Sequence, residues 1–361
     1  MPRKKTPKPL SVAVTGASGF LASRLIETLC QDERVASVSG FDLRRPSFTH
    51  PKFVFDELDV RDPALASRLT GIDTVVHLAF IMDPIHDETE MRDVNVNGSQ
   101  NVFKAAGKAG VGHVIYTSSA VVYGAHPDNK IPLVEDAPLR ANLDFSYAAH
   151  KLEVEYVLRE IEDEFPKLAL TVFRPAIVFG PHVDNAWSHS LELPLLFGIQ
   201  GHAPPLQFVH EDDVGDALLF AITEKLSGVY NLAAEGWLEF GDMMEISKRR
   251  RLDLPEPVAF GLVERLWSLG LAEAPAGMLH YVMHPWAVAT DKLSVAGFSC
   301  KRSNVEAFRA GVDATRDHVR IGRRRVRRKD LVRGAAGAVG LVGAAAATAT
   351  FRRRSRAHGR G

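Results

Sequence analysis

The chain has little cysteine, and its histidines lack the spacing of a metal-binding helix. Cys30 and Cys300 are the two cysteines in 361 residues, too few for a disulfide framework or a thiolate metal cluster. The 14 histidines are scattered, without an HExxH pattern. Two reduced thiols suit a reducing compartment, so the sequence predicts a cytoplasmic protein without a bound metal.

The chain also lacks net charge, but this balance hides an uneven distribution. Residues 320–361 carry 13 Lys/Arg against one acid, whereas residues 1–319 carry 31 Lys/Arg against 43 Asp/Glu. The folded body is therefore acidic, and an acidic surface does not attract nucleic acid. No specific nucleic-acid partner is expected.

Large apolar residues are scarce near the C-terminus. The uncharged stretch Gly334–Phe351 has 18 residues, mostly Ala and Gly, with arginines on both sides. Its length approaches the ~20 residues that a membrane span needs. Two interpretations of residues 320–361 stay open, a flexible basic tail and a peripheral contact with anionic lipid. Residues 1–9 are basic and contain prolines, which predicts a disordered lead-in.

From residue 10 onward, strand-like and helix-like segments alternate. Apolar runs predict strands at Leu10–Thr15, Val35–Phe41, Lys52–Phe55, Asp73–Ala79, His113–Ser118 and Leu168–Phe173, separated by helical segments around 62–70, 89–109 and 145–164. This alternation is typical of an α/β fold with a doubly wound parallel sheet. We predict a Rossmann domain over 10–180, an interleaved, smaller substrate-binding cap over 181–319, and a basic, Ala/Gly-rich tail. Residues 181–208 are predicted to be a loop region that covers a pocket.

A glycine-rich turn, Thr15–Ala22, follows the first predicted strand. A dinucleotide pyrophosphate must lie against backbone N–H groups at a helix N-terminus, and a Cβ there would hold it away. Gly16 allows the tight turn, Gly19 allows close approach, and Ala22 is small enough for helix–strand packing. Because the turn leaves a strand, opens a helix and is followed by Asp42 at the end of the second strand, it predicts dinucleotide binding.

Asp42 also bears on the type of dinucleotide. A carboxylate there accepts hydrogen bonds from the adenosine ribose hydroxyls and repels a 2′-phosphate, which favours NAD. Arg44 and Arg45 follow directly and attract such a phosphate, so NADP stays open. Asp59 and Val60 end the third strand, where a carboxylate can take the adenine amino group. The alternative for Asp59 is a structural role ahead of the next helix.

A tyrosine and a lysine lie four residues apart at the start of a predicted helix. This spacing places Tyr147 and Lys151 on one face. A phenol has a pKa of about 10 and acts as a base at neutral pH only where its anion is stabilised. A lysine ammonium one turn away, with an oxidised nicotinamide, would do this. Ser119 ends a strand at the carboxyl edge of the sheet, where ligands bind. It is placed to hold the reacting oxygen while Tyr147 moves its proton.

Several motifs follow one another in a recognisable order. They are TGxxGxxA at 15–22, Val75–Ala79, Asn95–Gly98, SSxxVYG from Ser118, YxxxK from Tyr147, and Arg174–Pro181. In this order they resemble the extended short-chain dehydrogenases/reductases, also called the NAD-dependent epimerase/dehydratase family, over about residues 10–320. The resemblance implies that Ser119 is the catalytic hydroxyl, Tyr147 the acid/base and Lys151 the residue that grips the nicotinamide ribose.

The resemblance also implies further contacts with the cofactor. Backbone around Pro175–Val178 would meet the carboxamide, while His77 and Asn95 are interpreted as mainly structural. Together with the turn and the strand ends, the predicted cofactor-binding residues are Gly16, Ser18, Gly19, Phe20, Leu21, Asp42, Arg44, Asp59, Val60, Leu78, Ala79, Tyr147, Lys151, Pro175, Ile177 and Val178.

Two positions depart from the nucleotide-sugar enzymes of this group. Those enzymes usually carry Asn where this chain has Ile177, and an Arg near Gln207 that holds the substrate diphosphate. A diphosphate buried without a cation is strongly disfavoured, and the cap instead offers apolar residues such as Trp187, Leu196 and Trp286. We therefore predict an NAD(P)-dependent oxidoreductase that transfers a hydride at a carbinol or carbonyl of a small apolar or alicyclic substrate.

Two other functions stay open. The first is a nucleotide-sugar epimerase or dehydratase that oxidises its substrate transiently with the same three residues. The second is a non-enzymatic NAD(P)-sensing protein, against which the intact trio argues. A small-molecule substrate is the expected partner, and a homodimer is left open.

Overall fold

The computed structural model describes residues 8–193, 195–316, 318–321 and 324–327. Its strands are β1 (Leu10–Thr15), β2 (Val35–Asp42), β3 (Phe53–Glu57), β4 (Thr74–His77), β5 (His113–Thr117), β6 (Ala169–Pro175), β7 (Ile177–Phe179), β8 (Leu195–Ile199), β9 (Phe208–His210), β10 (Gly228–Leu232), β11 (Arg250–Leu254), β12 (His318–Ile321) and β13 (Arg324–Arg327). The six strands predicted before residue 180 are all present, with ends that differ by a few residues.

Helices connect and cover these strands. They are α1 (Phe20–Gln31), α2 (Leu65–Arg68), α3 (Glu88–Arg92), a π-helical turn (Asp93–Asn97), α4 (Gly98–Ala109), a 3₁₀ turn (Ala120–Tyr123), α5 (Ser146–Glu164), α6 (Ala186–Ser190), α7 (Glu211–Glu224), α8 (Phe240–Ser247), α9 (Glu256–Ser268), a second 3₁₀ turn (Ala276–Leu279), α10 (His280–Met283), α11 (Asp291–Val295) and α12 (Asn304–Thr315).

Seven parallel strands form the central sheet, in the order β10-β6-β5-β4-β1-β2-β3. The strands are apolar on both faces because helices cover both: α1 and α7 pack on one face, and α4 and α5 on the other. Val12, Ala13 and Val14 in β1 are accordingly fully buried. This confirms the predicted doubly wound Rossmann sheet. The order reverses between β1 and β4, and ligands bind at such a switch point, beyond the carboxyl ends of the strands.

The region after residue 180 is more regular than the sequence predicts. The predicted loop region 181–208 contains α6 and β8, and β8 pairs with β11 in a separate parallel sheet. The prediction misses β8 because its partner lies about fifty residues later in the chain. β10 joins the central sheet beside β6, so this region is interleaved with the Rossmann core.

The predicted start of the tail falls within a strand. β12 (His318–Ile321) pairs antiparallel with β13 (Arg324–Arg327), so the boundary at residue 319 divides β12. Residues 328–361, with the uncharged stretch Gly334–Phe351, and the predicted lead-in up to residue 7 lie outside the described residues. Among the described residues, no helix is both long and apolar enough to cross a bilayer.

Candidate active site

A cleft of about 800 Å³ opens at the switch point between β1 and β4. Nine of the predicted cofactor-binding residues line it: Gly16, Ser18, Gly19, Asp42, Arg44, Asp59, Val60, Leu78 and Ala79. Phe20 and Leu21 are not in its lining, because they form the first turn of α1, where Leu21 packs towards the core. The cleft also contains Phe80 and Ile81, which the sequence analysis did not select.

Gly16 shapes the floor of this cleft. Its φ is +70°, and a Cβ at this position would lie 2.7 Å from the backbone nitrogen of Ala79. Any other residue would therefore be strained and would push β1 and the end of β4 apart. The turn brings backbone N–H groups close to the N-terminus of α1, an arrangement that suits a pyrophosphate.

Asp42 ties the end of β2 to the glycine turn. One carboxylate oxygen accepts hydrogen bonds from the backbone nitrogen and the hydroxyl of Ser18, at 3.0 and 2.7 Å. The other oxygen accepts from the backbone nitrogen of Arg44 at 3.1 Å. The Arg44 side chain is exposed at the cleft, whereas the guanidinium of Arg45 lies over the ring of Phe55. Of the two arginines, Arg44 is thus the one beside the cleft.

Asp59 lies at the cleft and also has a structural role within the protein. It lines the cleft, but its carboxylate also pairs with Arg61, at 2.7 Å, and accepts from the Arg61 backbone nitrogen. The pKa of Asp59 is held low by the hydrogen bond from Arg61. The carboxylate is therefore charged at neutral pH and largely engaged within the protein.

A second cavity, with an empty volume of about 570 Å³, contains the predicted catalytic hydroxyls. We call it the reaction pocket. Ser119 and Tyr147 line it together with Pro175, Ile177 and Val178. Ser119 precedes the 3₁₀ turn after β5, and Tyr147 lies in the first turn of α5. The other three lie at the end of β6 and along β7. The carboxyl ends of neighbouring strands thus bring distant motifs together.

The surroundings of Tyr147 favour its neutral form. Burial raises the pKa of Tyr147 to about 12, a hydrogen bond with Ser119 opposes this rise, and the carboxylate of Asp83 adds to it. Burial therefore keeps the phenol protonated among the protein's own groups. Stabilisation of its anion by Lys151 together with an oxidised nicotinamide stays a prediction.

Lys151 lies behind the wall of the cleft at the switch point. Its Nζ donates a hydrogen bond to the carbonyl oxygen of Thr117 at 2.8 Å and lies 3.6 Å from the ring centroid of Phe80, which lines the cleft. The distance from Nζ to the Tyr147 ring centroid is 5.8 Å. Burial lowers the pKa of Lys151 to about 7, against the opposing effect of Glu155. Lys151 therefore adjoins both Tyr147 and the cleft without lining either cavity.

A model of the NAD dependent epimerase/dehydratase family matches residues 12–233, from β1 through β10. The chain belongs to this family. It is thus an enzyme of an NAD-dependent family, and NAD is its cofactor. The residues present fit NAD, because the glycine cradle at Gly16 excludes a Cβ and Asp42 stands at the end of β2 beside it.

Curated and solved relatives agree with the family. An uncharacterized protein of Mycobacterium tuberculosis is 30% identical over 314 residues, which cover 83% of this chain and 82% of the relative. An N-acetyl-alpha-D-glucosaminyl-diphospho-ditrans,octacis-undecaprenol 4-epimerase of Escherichia coli is 36% identical, over 47% of this chain and 49% of that protein. UDP-glucuronic acid 4-epimerase of Bacillus cereus, solved with NAD, has the same fold, with a TM-score of 0.66 at 19% identity over 85% of this chain and 99% of that chain.

A buried ion pair joins the elements that carry the predicted catalytic residues. Arg174 on β6 and Glu155 on α5 pair at 2.5 Å, and both are about 95% buried. Glu155 also accepts a hydrogen bond from Ser118 at 2.6 Å, and Arg174 donates to the hydroxyl of Tyr123 at 2.7 Å. The pair thus joins α5, β6 and the turn after β5, the three elements that carry Lys151, the pocket wall and Ser119. Sequence reasoning missed it, because the carboxylate and guanidinium meet only through the fold.

His77 and Asn95 have extensive hydrogen bonds within the protein. The ring nitrogens of His77 lie 2.7 and 2.8 Å from the hydroxyls of Thr15 and Ser99. Asn95, in the π-helical turn, accepts from the backbone nitrogen of Ile81 at 2.7 Å and donates to its carbonyl. Asn95 therefore holds the loop after β4 that lines the cofactor cleft. These contacts support the structural interpretation of both residues.

We expect His77 to make the fold sensitive to acid. Burial lowers the pKa of His77 from 6.5 to about 3. Because the unfolded chain takes up this proton first, the free energy of unfolding should fall as the pH drops from about 6.5 to about 3. Urea unfolding of the wild type and His77→Gln over this range measures the effect. The stability advantage of the wild type should shrink as the pH falls. A difference that does not change with pH would show that His77 titrates normally.

The reaction pocket also contains a carboxylate that the sequence analysis did not select. Asp83 lies in its lining, six residues after the end of β4, and accepts a hydrogen bond from the backbone nitrogen of Ala186 at 3.1 Å. Phe145, Met278 and Asn185 are further wall residues that were missed. One signal for Asp83 was its place in the loop at the carboxyl end of a strand, where ligand-binding residues concentrate.

Proposed function

We propose that this enzyme is an NAD-dependent oxidoreductase that transfers a hydride at a carbinol or carbonyl carbon of an apolar or alicyclic substrate. One observation carries the proposal: Tyr147 and Ser119 face an otherwise largely apolar pocket. Among the described residues, Asp83 is the one charged side chain in its lining, which contains no cation. Residues 181–319, which supply Trp187, Met278 and Trp286 to this pocket, act in the proposal as the substrate-binding cap.

In this proposal the roles follow from the geometry. NAD supplies the hydride acceptor, or in its reduced form the donor. Ser119 donates a hydrogen bond to the reacting oxygen and orients it towards Tyr147. In the reducing direction, the neutral phenol of Tyr147 gives its proton to that oxygen, which matches a pKa raised to about 12. Lys151, behind the cleft wall, positions the nicotinamide ribose.

The pocket argues against a substrate diphosphate. Ile177 stands where the nucleotide-sugar enzymes usually carry Asn, and Gln207 is occupied within the protein. The Gln207 amide donates to the carbonyls of Ala234 and Val288 at 3.1 Å, and its oxygen accepts from the backbone nitrogen of Val288. Burial raises the pKa of Asp83, and in either protonation state this side chain offers an anion no positive charge. Burying a diphosphate here would therefore lack the charge compensation that such groups need.

The experiment that tests the proposal is a turnover assay with a panel of alicyclic and linear ketones and secondary alcohols. We expect one nicotinamide oxidised or reduced for each substrate molecule converted. UDP-glucose and UDP-glucuronic acid serve as the comparison. Conversion of either sugar nucleotide to its C4 epimer, without any net change in nicotinamide absorbance and without turnover of the ketones, would contradict the proposal.

A sugar epimerase remains the second candidate, because specific similarities favour it. The E. coli relative is named as a 4-epimerase of a lipid-linked sugar diphosphate, and a neighbour in fold was solved with UDP-glucuronic acid and NAD. An epimerase uses the same tyrosine but returns the hydride to its substrate. The lack of a cation among the described pocket residues is the reason for placing it second.

We expect NAD to bind at least about tenfold more tightly than NADP, a difference of about 1.4 kcal/mol. The Asp42 carboxylate, beside the cleft, repels a 2′-phosphate. Asp42→Ser should reduce or reverse this preference, because Arg44 then faces the phosphate without a competing charge. Arg44→Ala is the matched control, and it should leave NAD affinity unchanged while weakening NADP. Titration calorimetry measures the six affinities, NAD and NADP for each of the three proteins. Tighter binding of NADP by the wild type would overturn the preference for NAD.

For residues 320–361 we propose a peripheral contact with anionic lipid, supported by 13 Lys/Arg against one acid. Binding to vesicles that contain anionic lipid should fall as salt rises, because the screening length shrinks to about 3 Å at 1 M. A chain that ends at residue 327 retains β12 and β13, and it should lose most of the vesicle binding but keep its turnover. If the chain of 361 residues does not bind these vesicles at low salt, residues 320–361 have no lipid-binding role and the interpretation as a flexible basic tail is favoured.

A further inference from the structure

A third cavity, with an empty volume of about 550 Å³, lies next to the reaction pocket. We call it the distal chamber. Its wall is aromatic and aliphatic, with side chains such as Phe179, Leu196, Phe208, Met243 and Phe308. These come from β7, β8, β9, α8 and α12, so most of the chamber is built by the region after residue 180.

The distal chamber continues the reaction pocket. Trp187 lines both cavities. Two elements run along both of them: on β7, Ile177 and Val178 face the reaction pocket and Phe179 lines the chamber. On α6, Asn185 and Ala186 face the pocket, while Ser190 lies in the chamber wall. A ligand that extends from Tyr147 along β7 would therefore pass Trp187 and enter the chamber.

The lining of the distal chamber is almost entirely apolar. Among the described residues, none of the side chains in its lining is charged. The hydroxyl of Ser190 already donates to the carbonyl of Trp187 at 2.7 Å. A sugar, a base or a phosphate placed there would lose its hydrogen bonds to water and gain few in return. Apolar surface, in contrast, is stabilised by leaving water.

We propose that the distal chamber binds an apolar extension of the substrate, such as the far rings or the alkyl chain of an elongated alcohol or ketone. This rests on the proposed oxidoreductase function and adds the shape of the substrate to it. The reacting carbon lies beside Tyr147 and Ser119, and the apolar part passes Trp187. Affinity should then depend on the length of the substrate as well as on its reacting group.

The test uses a series of linear 2-alkanones, from short to long, with the enzyme saturated with NADH. For each ketone, kcat/KM is measured, and calorimetry with oxidised NAD present measures binding without turnover. Each added methylene should tighten binding about three- to fourfold, which corresponds to ~0.8 kcal/mol per buried CH₂. The gain should stop once the chamber is full.

Two variants place the same large side chain inside and outside the chamber. Leu196→Trp narrows it, since Leu196 lies in its wall. Leu252→Trp is the matched control, because Leu252 lies on the neighbouring strand β11 and is 42% exposed. Leu196→Trp should abolish the gain with chain length, so that long and short ketones have about the same kcat/KM in this variant. Leu252→Trp should behave like the wild type, and circular dichroism checks that both variants fold.

The outcomes separate the two proposals. Turnover of short ketones without any gain from added methylenes would overturn the chamber assignment and leave the oxidoreductase function intact. If no ketone is turned over but long ketones bind with the predicted length dependence, the result supports the distal chamber as a binding site and contradicts the proposed oxidoreductase function. Absence of binding by every ketone would overturn the chamber. Binding of UDP-glucose that Leu196→Trp weakens would also overturn it, because the chamber would then hold a nucleotide.

Discussion

Tyr147→Phe is expected to lower kcat about 10²- to 10⁴-fold on the substrate identified by the ketone panel, the range typical for loss of a general acid or base. The change removes the phenolic oxygen and keeps the ring that packs against Phe80 and Phe145. The fold and the glycine turn should not change, so NAD affinity should stay within about twofold of the wild type.

Steady-state kinetics and titration with NAD measure these two quantities. Tyr156→Phe is a matched control, since Tyr156 lies on the same helix, is 44% exposed and is in neither cavity lining. It should keep full activity. A kcat of Tyr147→Phe above a tenth of the wild-type value would show that Tyr147 is not the general acid or base. Loss of NAD binding would indicate a structural defect instead.

Arg174→Met is expected to lower the free energy of unfolding by about 3–5 kcal/mol, the usual cost of leaving one member of a buried ion pair without its partner. Glu155 would stay buried, with Ser118 as its remaining partner in the network. Because α5 and the turn after β5 are joined through this pair, NAD-dependent turnover should fall as well. Urea unfolding and kcat measured on the same sample give both effects.

The double variant Arg174→Met/Glu155→Leu separates charge from packing. Replacing both partners by apolar groups removes the uncompensated charge, so a large part of the lost stability should return. Arg159→Met, on the exposed side of α5, controls for removing an arginine and should have little effect on stability. A double variant less stable than Arg174→Met would mean that the hydrogen bond from Ser118 to Glu155 stabilises the fold more than the uncompensated charge destabilises it.

The residues that line the cleft at the switch point were predicted well from the sequence, because the patterns that indicate them are local. The glycine turn, the strand before it and Asp42 fall within one βαβ unit, and their spacing reflects backbone geometry that any chain must satisfy. The nine predicted residues that line the cleft lie at or just after the ends of strands. For the same reason, Tyr147 and Ser119 were predicted from short motifs and lie together in one pocket.

The walls of the reaction pocket and the region after residue 180 were predicted less well, because contacts there join distant segments of the chain. β8 forms only against β11, and Asp83 meets Ala186 about a hundred residues away. The hydrogen bond from Lys151 to the carbonyl of Thr117 was also missed. Spacing places Tyr147 and Lys151 on one face of α5, but helical periodicity carries no information about such a partner.

Hydride transfer followed with deuterium tests the central proposal most directly. NADH labelled with deuterium at the transferable position is incubated with the enzyme and a ketone from the panel, and the alcohol is examined by mass spectrometry and NMR. An oxidoreductase with Tyr147 as acid places one deuterium on the carbinol carbon of each product molecule, and Tyr147→Phe abolishes this transfer. An unlabelled sugar epimer formed from a nucleotide sugar, with no deuterium in any alcohol, would contradict it.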